Sequence, residues 1–161
     1  MDKNKLGILN YKKLKQVEKE IISVKMKLLD MSINFNMSEL NLEFLIRIHK
    51  FLFGDIYYES QLQPRNLTVD ELLEINRIFY SLSNIGKIAC CVDEATIQAL
   101  FVRLWDLQIF LDGNTRTLLA LLKLYIERYH LPIEMTKVDK ISSSGRMFTL
   151  KRCQQKDVDN I

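Results

Sequence analysis

Residues 108 to 117 read Gln108-Ile109-Phe110-Leu111-Asp112-Gly113-Asn114-Thr115-Arg116-Thr117, which puts a carboxamide, a carboxylate, a glycine and a guanidinium in one short span. Strongly apolar patterns flank it. Leu100, Leu104 and Leu107 come before, and Leu118, Leu121, Leu122, Tyr125 and Ile126 follow, both at helical spacing. Packing gives no reason to join two core helices through Asp112, Gly113, Asn114 and Arg116. Anion binding does. Gly113 lets the backbone approach a ligand closely, and Asn114 is placed to cap the next helix. The amides of Asn114, Thr115 and Arg116 would then point at a phosphate, with the helix dipole assisting. Without further information, a plain helix-loop-helix turn with a good cap explains the same residues.

The elements that must position this loop are helical throughout. Residues 11–31 place Leu14, Val17, Ile21, Val24, Leu28 and Met31 on one stripe, and residues 39–53 do so with Leu42, Leu45, Ile46 and Phe53. Gly54, Pro64 and several polar residues break the pattern over 54–67, which reads as a loop or short hairpin. Thr68-x-x-Glu71 is a capping box opening a helix that carries Leu72, Ile75, Ile78, Phe79 and Leu82 and stops near Gly86. Asp93 can cap the helix that leads to the loop, and the helix after it ends near His130, ahead of Pro132. Ser142-Ser143-Ser144-Gly145 reads as a flexible break, and residues 147–152 as a short strand or a disordered end. Trp105, Tyr125 and Phe110 read as core, and His49 as a satisfied interior histidine, since no carboxylate or cysteine stands at metal-ligand spacing from it.

Two segments together carry a resemblance. Gln108 to Thr117 resembles the signature loop of the Fic (Fido) domain family, His-Pro-Phe-x-Asp/Glu-Gly-Asn-Gly-Arg-Thr, and it matches at Phe110, Asp112, Gly113, Asn114, Arg116 and Thr117. Ile48-His49-Lys50-Phe51-Leu52-Phe53-Gly54-Asp55-Ile56-Tyr57 is similar to the helix end that leads into that family's substrate-positioning flap. The resemblance covers about residues 38–135. It implies an all-α, Fic-like helical bundle with a short β-hairpin flap over 57–66, one domain over residues 1–140, and a tail over 141–161. It also implies a nucleotide, ATP or another, held at Gly113, Asn114, Thr115 and Arg116. Asp112 would be the Mg²⁺ carboxylate, since magnesium takes one or two carboxylates plus substrate phosphates, and Arg116 would grip phosphate through its planar fork.

The departures fall on the reacting groups. Gln108 stands where the family has the histidine that takes the proton of the attacking hydroxyl, and a carboxamide cannot accept a proton near neutral pH. Losing a general base costs ~10²–10⁴ in rate, roughly 3–5 kcal/mol of barrier. Thr115 replaces a glycine, a mild change. Leu119 replaces a second arginine one turn after Arg116. The inhibitory pattern of many members, Ser/Thr-x-x-x-Glu-Gly/Asn, is missing, and so is the second arginine its glutamate pairs with. The expected function is therefore a degenerate Fic-fold protein, a pseudoenzyme that binds a nucleotide or a protein partner with little or no group transfer. The alternative is a protein adenylyltransferase (an AMPylator) or a related nucleotidyl or phosphoryl transferase acting on a protein hydroxyl, with Gln108 only orienting the nucleophile.

Composition narrows the partners. At 161 residues and 48% hydrophobic, one sizeable core is expected. The net charge of +3 is small, and Lys12, Lys13, Lys15, Lys19, Lys25 and Lys27 are partly offset by Glu18, Glu20 and Asp30, so a solvated helix face rather than a nucleic-acid patch is expected. Cys90, Cys91 and Cys153 suggest reduced thiols, not a disulfide framework or zinc site. No signal peptide or apolar run of membrane length is seen, which gives the expectation of a cytoplasmic protein, or of one exported by a route that leaves no such signal. No prosthetic group, nucleic acid or membrane partner is expected, whereas a protein target or regulatory partner is.

Overall fold

The computed structural model describes residues 3–33, 40–88, 93–136 and 149–152. Five helices, α1 (Tyr11–Ser32), α2 (Leu42–Phe53), α3 (Val69–Lys87), α4 (Glu94–Asp106) and α5 (Asn114–Arg128), are followed by strands β1 (Ile133–Thr136) and β2 (Thr149–Arg152). Local sequence starts four of the helices. Asn10, Asn41, Thr68 and Asp93 each accept a first-turn amide with a side-chain oxygen, and Thr68 with Glu71 closes the expected capping box. α5 is different: its cap is Gly113, which has no side chain to offer.

The core is built around α2 and α5. Leu118, Ala120, Leu121, Leu122, Leu124 and Tyr125 of α5 are buried around more than one face, and Phe44, Leu45, Ile48, Leu52 and Phe53 of α2 face the same core. α1 packs on both α2 and α5, while α3 packs on α4. Lysines tie α1 down through its neighbours' backbone and its own. Lys25 Nζ donates to the Phe51 carbonyl (2.6 Å) and Lys123 Nζ to that of Met26 (3.1 Å). Tyr125 donates its hydroxyl to the Leu82 carbonyl at 2.6 Å, which joins α5 to α3.

Two expectations about the elements change in the structure. The stripe on α1 is rotated: its buried residues are Leu14, Glu18, Ile22 and Leu29, while Val24, Leu28 and Met31 are exposed. The segment 54–67 is a loop with a single 3-10 turn at Glu59–Gln61 and no hairpin. The antiparallel pair lies at the other end of the chain instead, where β1 and β2 pair in the register Ile133 with Arg152 and Thr136 with Thr149. β2 is the short strand expected over 147–152, and it packs on α4. Cys90, Cys91, Cys153 and the Ser142–Gly145 break lie outside the described residues.

Candidate functional site

The loop from α4 to α5 is closed by its own side chains. Asn114 does not cap α5. It is the first residue of that helix, and its side chain reaches back to accept from the Phe110 amide (2.8 Å) and donate to the Phe110 carbonyl (2.7 Å). Gly113 makes the turn with φ +77°, a conformation that glycine adopts without penalty. A Cβ there would lie 2.5 Å from the Phe53 ring and 3.2 Å from His49 Cε1, so glycine is also the only residue with room to sit against α2. Phe110 is the core anchor expected of it, and its ring stacks on the His49 imidazole at 3.8 Å.

His49 lies directly beneath the loop. Thr117 donates its hydroxyl to the Gly113 carbonyl (3.0 Å), so the 2.8 Å contact between Thr117 Oγ1 and His49 Nδ1 is satisfied by an Nδ1–H on the histidine. Nε2 is then a bare lone pair, buried with no partner. The histidine is interior as expected, but satisfied at one nitrogen only. Burial pushes its pKa down to about 4, with Asp112 opposing and Arg116 assisting that shift.

The charged groups of the loop are held by α1. Arg116 Nη2 contacts Glu18 Oε1 at 2.5 Å, and its guanidinium lies 5.0 Å from the Phe53 ring centroid. Glu18 is buried, and its other oxygen accepts the Tyr57 hydroxyl. Burial, and then the Glu18 hydrogen bond, push Tyr57 up to about 12. Lys15 Nζ bridges Asp112 Oδ2 (3.0 Å) and Glu18 (3.2 Å). Asp112 Oδ1 accepts the Gly113 amide at 2.6 Å. Partial burial opposes ionisation of Asp112, but Lys15, Gly113 and Arg116 together hold its carboxyl below the usual range.

These residues do not fit a magnesium site as they stand. The carboxylate that would ligate the cation already faces an ammonium on one oxygen and an amide on the other. Among the described residues no group of three His, Cys, Asp or Glu side chains comes together.

A cavity of about 240 Å³ opens over the α5 N-terminus, lined by Trp105, Gln108, Leu111, Asp112, Gly113, Asn114, Thr115 and Arg116. Every residue expected at the site is therefore in it. No side chain caps the first turn of α5, so the helix offers its free amides and positive dipole end to the cavity. Trp105 packs part-buried against the core and also walls the cavity, and its indole N–H donates to Thr115 Oγ1 at 3.0 Å.

Gln108 is tied at both ends of its carboxamide, donating to the Trp105 carbonyl (2.8 Å) and accepting from Asn114 Nδ2 (3.3 Å). Its φ of +43° is in the left-handed region, which a side-chain-bearing residue occupies at a cost. Leu119, which stands in place of the second arginine of the pattern it resembles, packs partly buried against the core.

The sequence reading missed three residues that hold this arrangement. Glu18 and Lys15 come from α1, as described. Arg65 is the third. It forks onto Glu71 (Nη2 to Oε1, 2.6 Å), and it donates to the carbonyls of Leu107 (2.7 Å) and Gln108 (2.9 Å), while its own amide donates to Ile109 (2.9 Å). The signal for Glu18 was present, because Leu14, Glu18 and Ile22 stand at i, i+4 and i+8 and a carboxylate between two core residues needs partners.

The Arg65 and Thr68 hydrogen bonds hold Glu71 well below the usual carboxylate range, at about 2. Its contribution to stability is present above pH 4.5 and is lost as the pH falls towards 2. Melting curves of Glu71→Gln should lack that part of the acid dependence. Curves that run parallel to wild type from pH 4.5 to 2 would show that the Arg65 clamp contributes nothing.

Solved structures share this arrangement of helices. The N-terminal Fic domain of a putative cell filamentation protein from Bartonella quintana, a VirB-translocated effector, matches with a TM-score of 0.66 at 16% identity, over 83% of this chain and 72% of that one. The fold is that of a Fic domain. BepC from Bartonella tribocorum, whose structure holds AMPPNP, matches at 0.64 and 15% identity, over 83% and 75% of the two chains. The N-terminal Fic domain of an effector from Bartonella sp. AR 15-3 matches at 0.65 and 18%, over 86% and 72%. No protein-family model and no curated protein matches the chain. In the Fic fold of this chain the signature loop joins α4 to α5, and none of the described helices is long and apolar enough to cross a membrane.

Proposed function

We propose that this protein binds a nucleotide through its phosphates at the N-terminus of α5 and transfers no group from it. The observation that carries this reading is the pairing of an open phosphate cradle with a blocked base position. Gly113 turns the chain so that the first amides of α5 are uncapped, and Arg116 lines the same cavity while Glu18 and the Phe53 ring fix its guanidinium. An arginine held in this way loses little freedom when it meets a phosphate oxygen with its remaining N–H groups. Gln108 lines the same cavity, and its amide has no basic lone pair and is already engaged by Trp105 and Asn114. AMPPNP bound to the Fic-fold protein BepC supports a nucleotide as the ligand. A protein partner that reads the nucleotide-bound state, in the cytoplasm, completes the proposal.

The reading is tested by calorimetric titration with AMPPNP. Wild type should bind, and Arg116→Ala should lose about 1.5–3 kcal/mol, the range of a charge-assisted hydrogen bond, or roughly 10- to 150-fold in Kd. A melting curve checks that Arg116→Ala still folds, since it strips Glu18 of one partner. Equal binding by the two proteins, or none by wild type at millimolar AMPPNP, would overturn the proposal.

A further inference from the structure

We propose that Lys15 takes the place of a divalent cation in this site, so that the phosphates bind without magnesium. The inference rests on the nucleotide reading above and deepens it. A metal-dependent phosphate site needs a carboxylate with a free oxygen facing the ligand, because the cation bridges carboxylate and phosphate. Among the described residues Asp112 is the only carboxylate lining the cavity, and each of its oxygens already has a fixed donor. Oδ2 meets the Lys15 ammonium at 3.0 Å, and Oδ1 meets the Gly113 amide at 2.6 Å.

The ammonium is not a chance surface contact. Glu18, buried in the core between α1, Tyr57 and Arg116, holds it from the other side at 3.2 Å. Lys15 therefore has two carboxylates as fixed partners, reaching both oxygens of Glu18 and one of Asp112, and it supplies its positive charge to the Asp112 carboxylate from the α1 side. A magnesium ion would have to displace that ammonium and come to rest beside it. Two cations sharing one carboxylate repel each other, and magnesium gives up its water reluctantly. The lysine arrives with the fold and needs no metal from solution.

The test is calorimetric titration of the whole chain with AMPPNP, once in EDTA and once in excess Mg²⁺, alongside titration with Mg²⁺ alone. Wild type should give Kd values that agree within about twofold, and Mg²⁺ alone should give no binding heat. Lys15→Met should bind about tenfold more weakly in EDTA, and Mg²⁺ should restore most of the loss once Asp112 is free. Lys15 is part-exposed, and a melting curve confirms that the variant folds.

Tightening of wild type by more than about tenfold on adding Mg²⁺ would overturn the inference while leaving the nucleotide reading intact. So would a Lys15→Met protein that is as indifferent to Mg²⁺ as wild type. Absence of AMPPNP binding in both buffers would overturn the nucleotide reading and this inference with it.

Discussion

Lowering the pH from 7 to 4 is expected to cost this protein on the order of 3 kcal/mol of stability through His49 alone. The imidazole is buried beneath the signature loop and stacked on Phe110, with Nδ1 committed to Thr117. Protonation would place a new N–H on Nε2, which has no partner there. The folded pKa, pushed down to about 4, lies below the ordinary 6.5, so the unfolded chain takes up the proton first. The sign follows. The contribution is fully present above pH 6.5 and drains away as the pH falls through 6.5 towards 4. For a chain of this length the melting temperature should fall by roughly 6–12 °C over that window. His49→Gln cannot charge, and its curve should be flatter by that amount. Parallel curves for the two proteins between pH 7 and 4 would mean that the histidine is hydrated or partnered when folded.

The helices were legible because their starts are local. Thr68 and Asp93 announce helices within three residues of themselves, and the core residues of α3, α4 and α5 recur at helical spacing. α1 was harder. Its sequence is apolar at both Val17–Ile21 and Leu14–Ile22, and only the neighbours decide which face is buried. The face that packs on α2 and α5 carries Glu18, which meets Arg116 of α5, Tyr57 after α2 and Lys15 on α1 itself.

In the same way, residues 108–116 were recognisable as a candidate site from Asp112, Gly113 and Arg116, but the ion-pair partners of Asp112 and Arg116, Lys15 and Glu18, lie on α1 near the other end of the chain. Lys15 on Asp112 is such a pair. Asn114 was read as a cap because its type and place suit one. Gly113 took that role with a left-handed turn, leaving the Asn114 side chain to close the loop on Phe110. The hairpin expected over 57–66 failed for a related reason. Arg65 fastens that segment to the carbonyls of Leu107 and Gln108, so the segment's hydrogen bonds go to the signature loop rather than to a second strand.

The second large effect is expected at Gln108. Gln108→His should raise the rate of nucleotidyl transfer to a protein hydroxyl, by at most ~10²–10⁴, the range of a positioned general base. The backbone suits the change, since histidine is among the residues that enter the left-handed region more readily and φ is +43° here. The gain should be partial. Leu119 provides no cation for the distal phosphates, and Lys15 occupies the carboxylate that a metal would use. Gln108→His with Leu119→Arg should therefore exceed Gln108→His alone. Rates of label incorporation into protein measure both. No gain in either variant would place the block to transfer elsewhere than the missing base.

The most direct test is made on the unaltered chain. Purified protein is incubated with α-phosphate-labelled ATP and a cell lysate, beside a Gln108→Ala control, and protein-bound label is counted. A protein that binds nucleotide but has no base at position 108 should label nothing above the control, itself included. Robust labelling by wild type, lost in Asp112→Ala, would contradict this and show that the site is a working transferase.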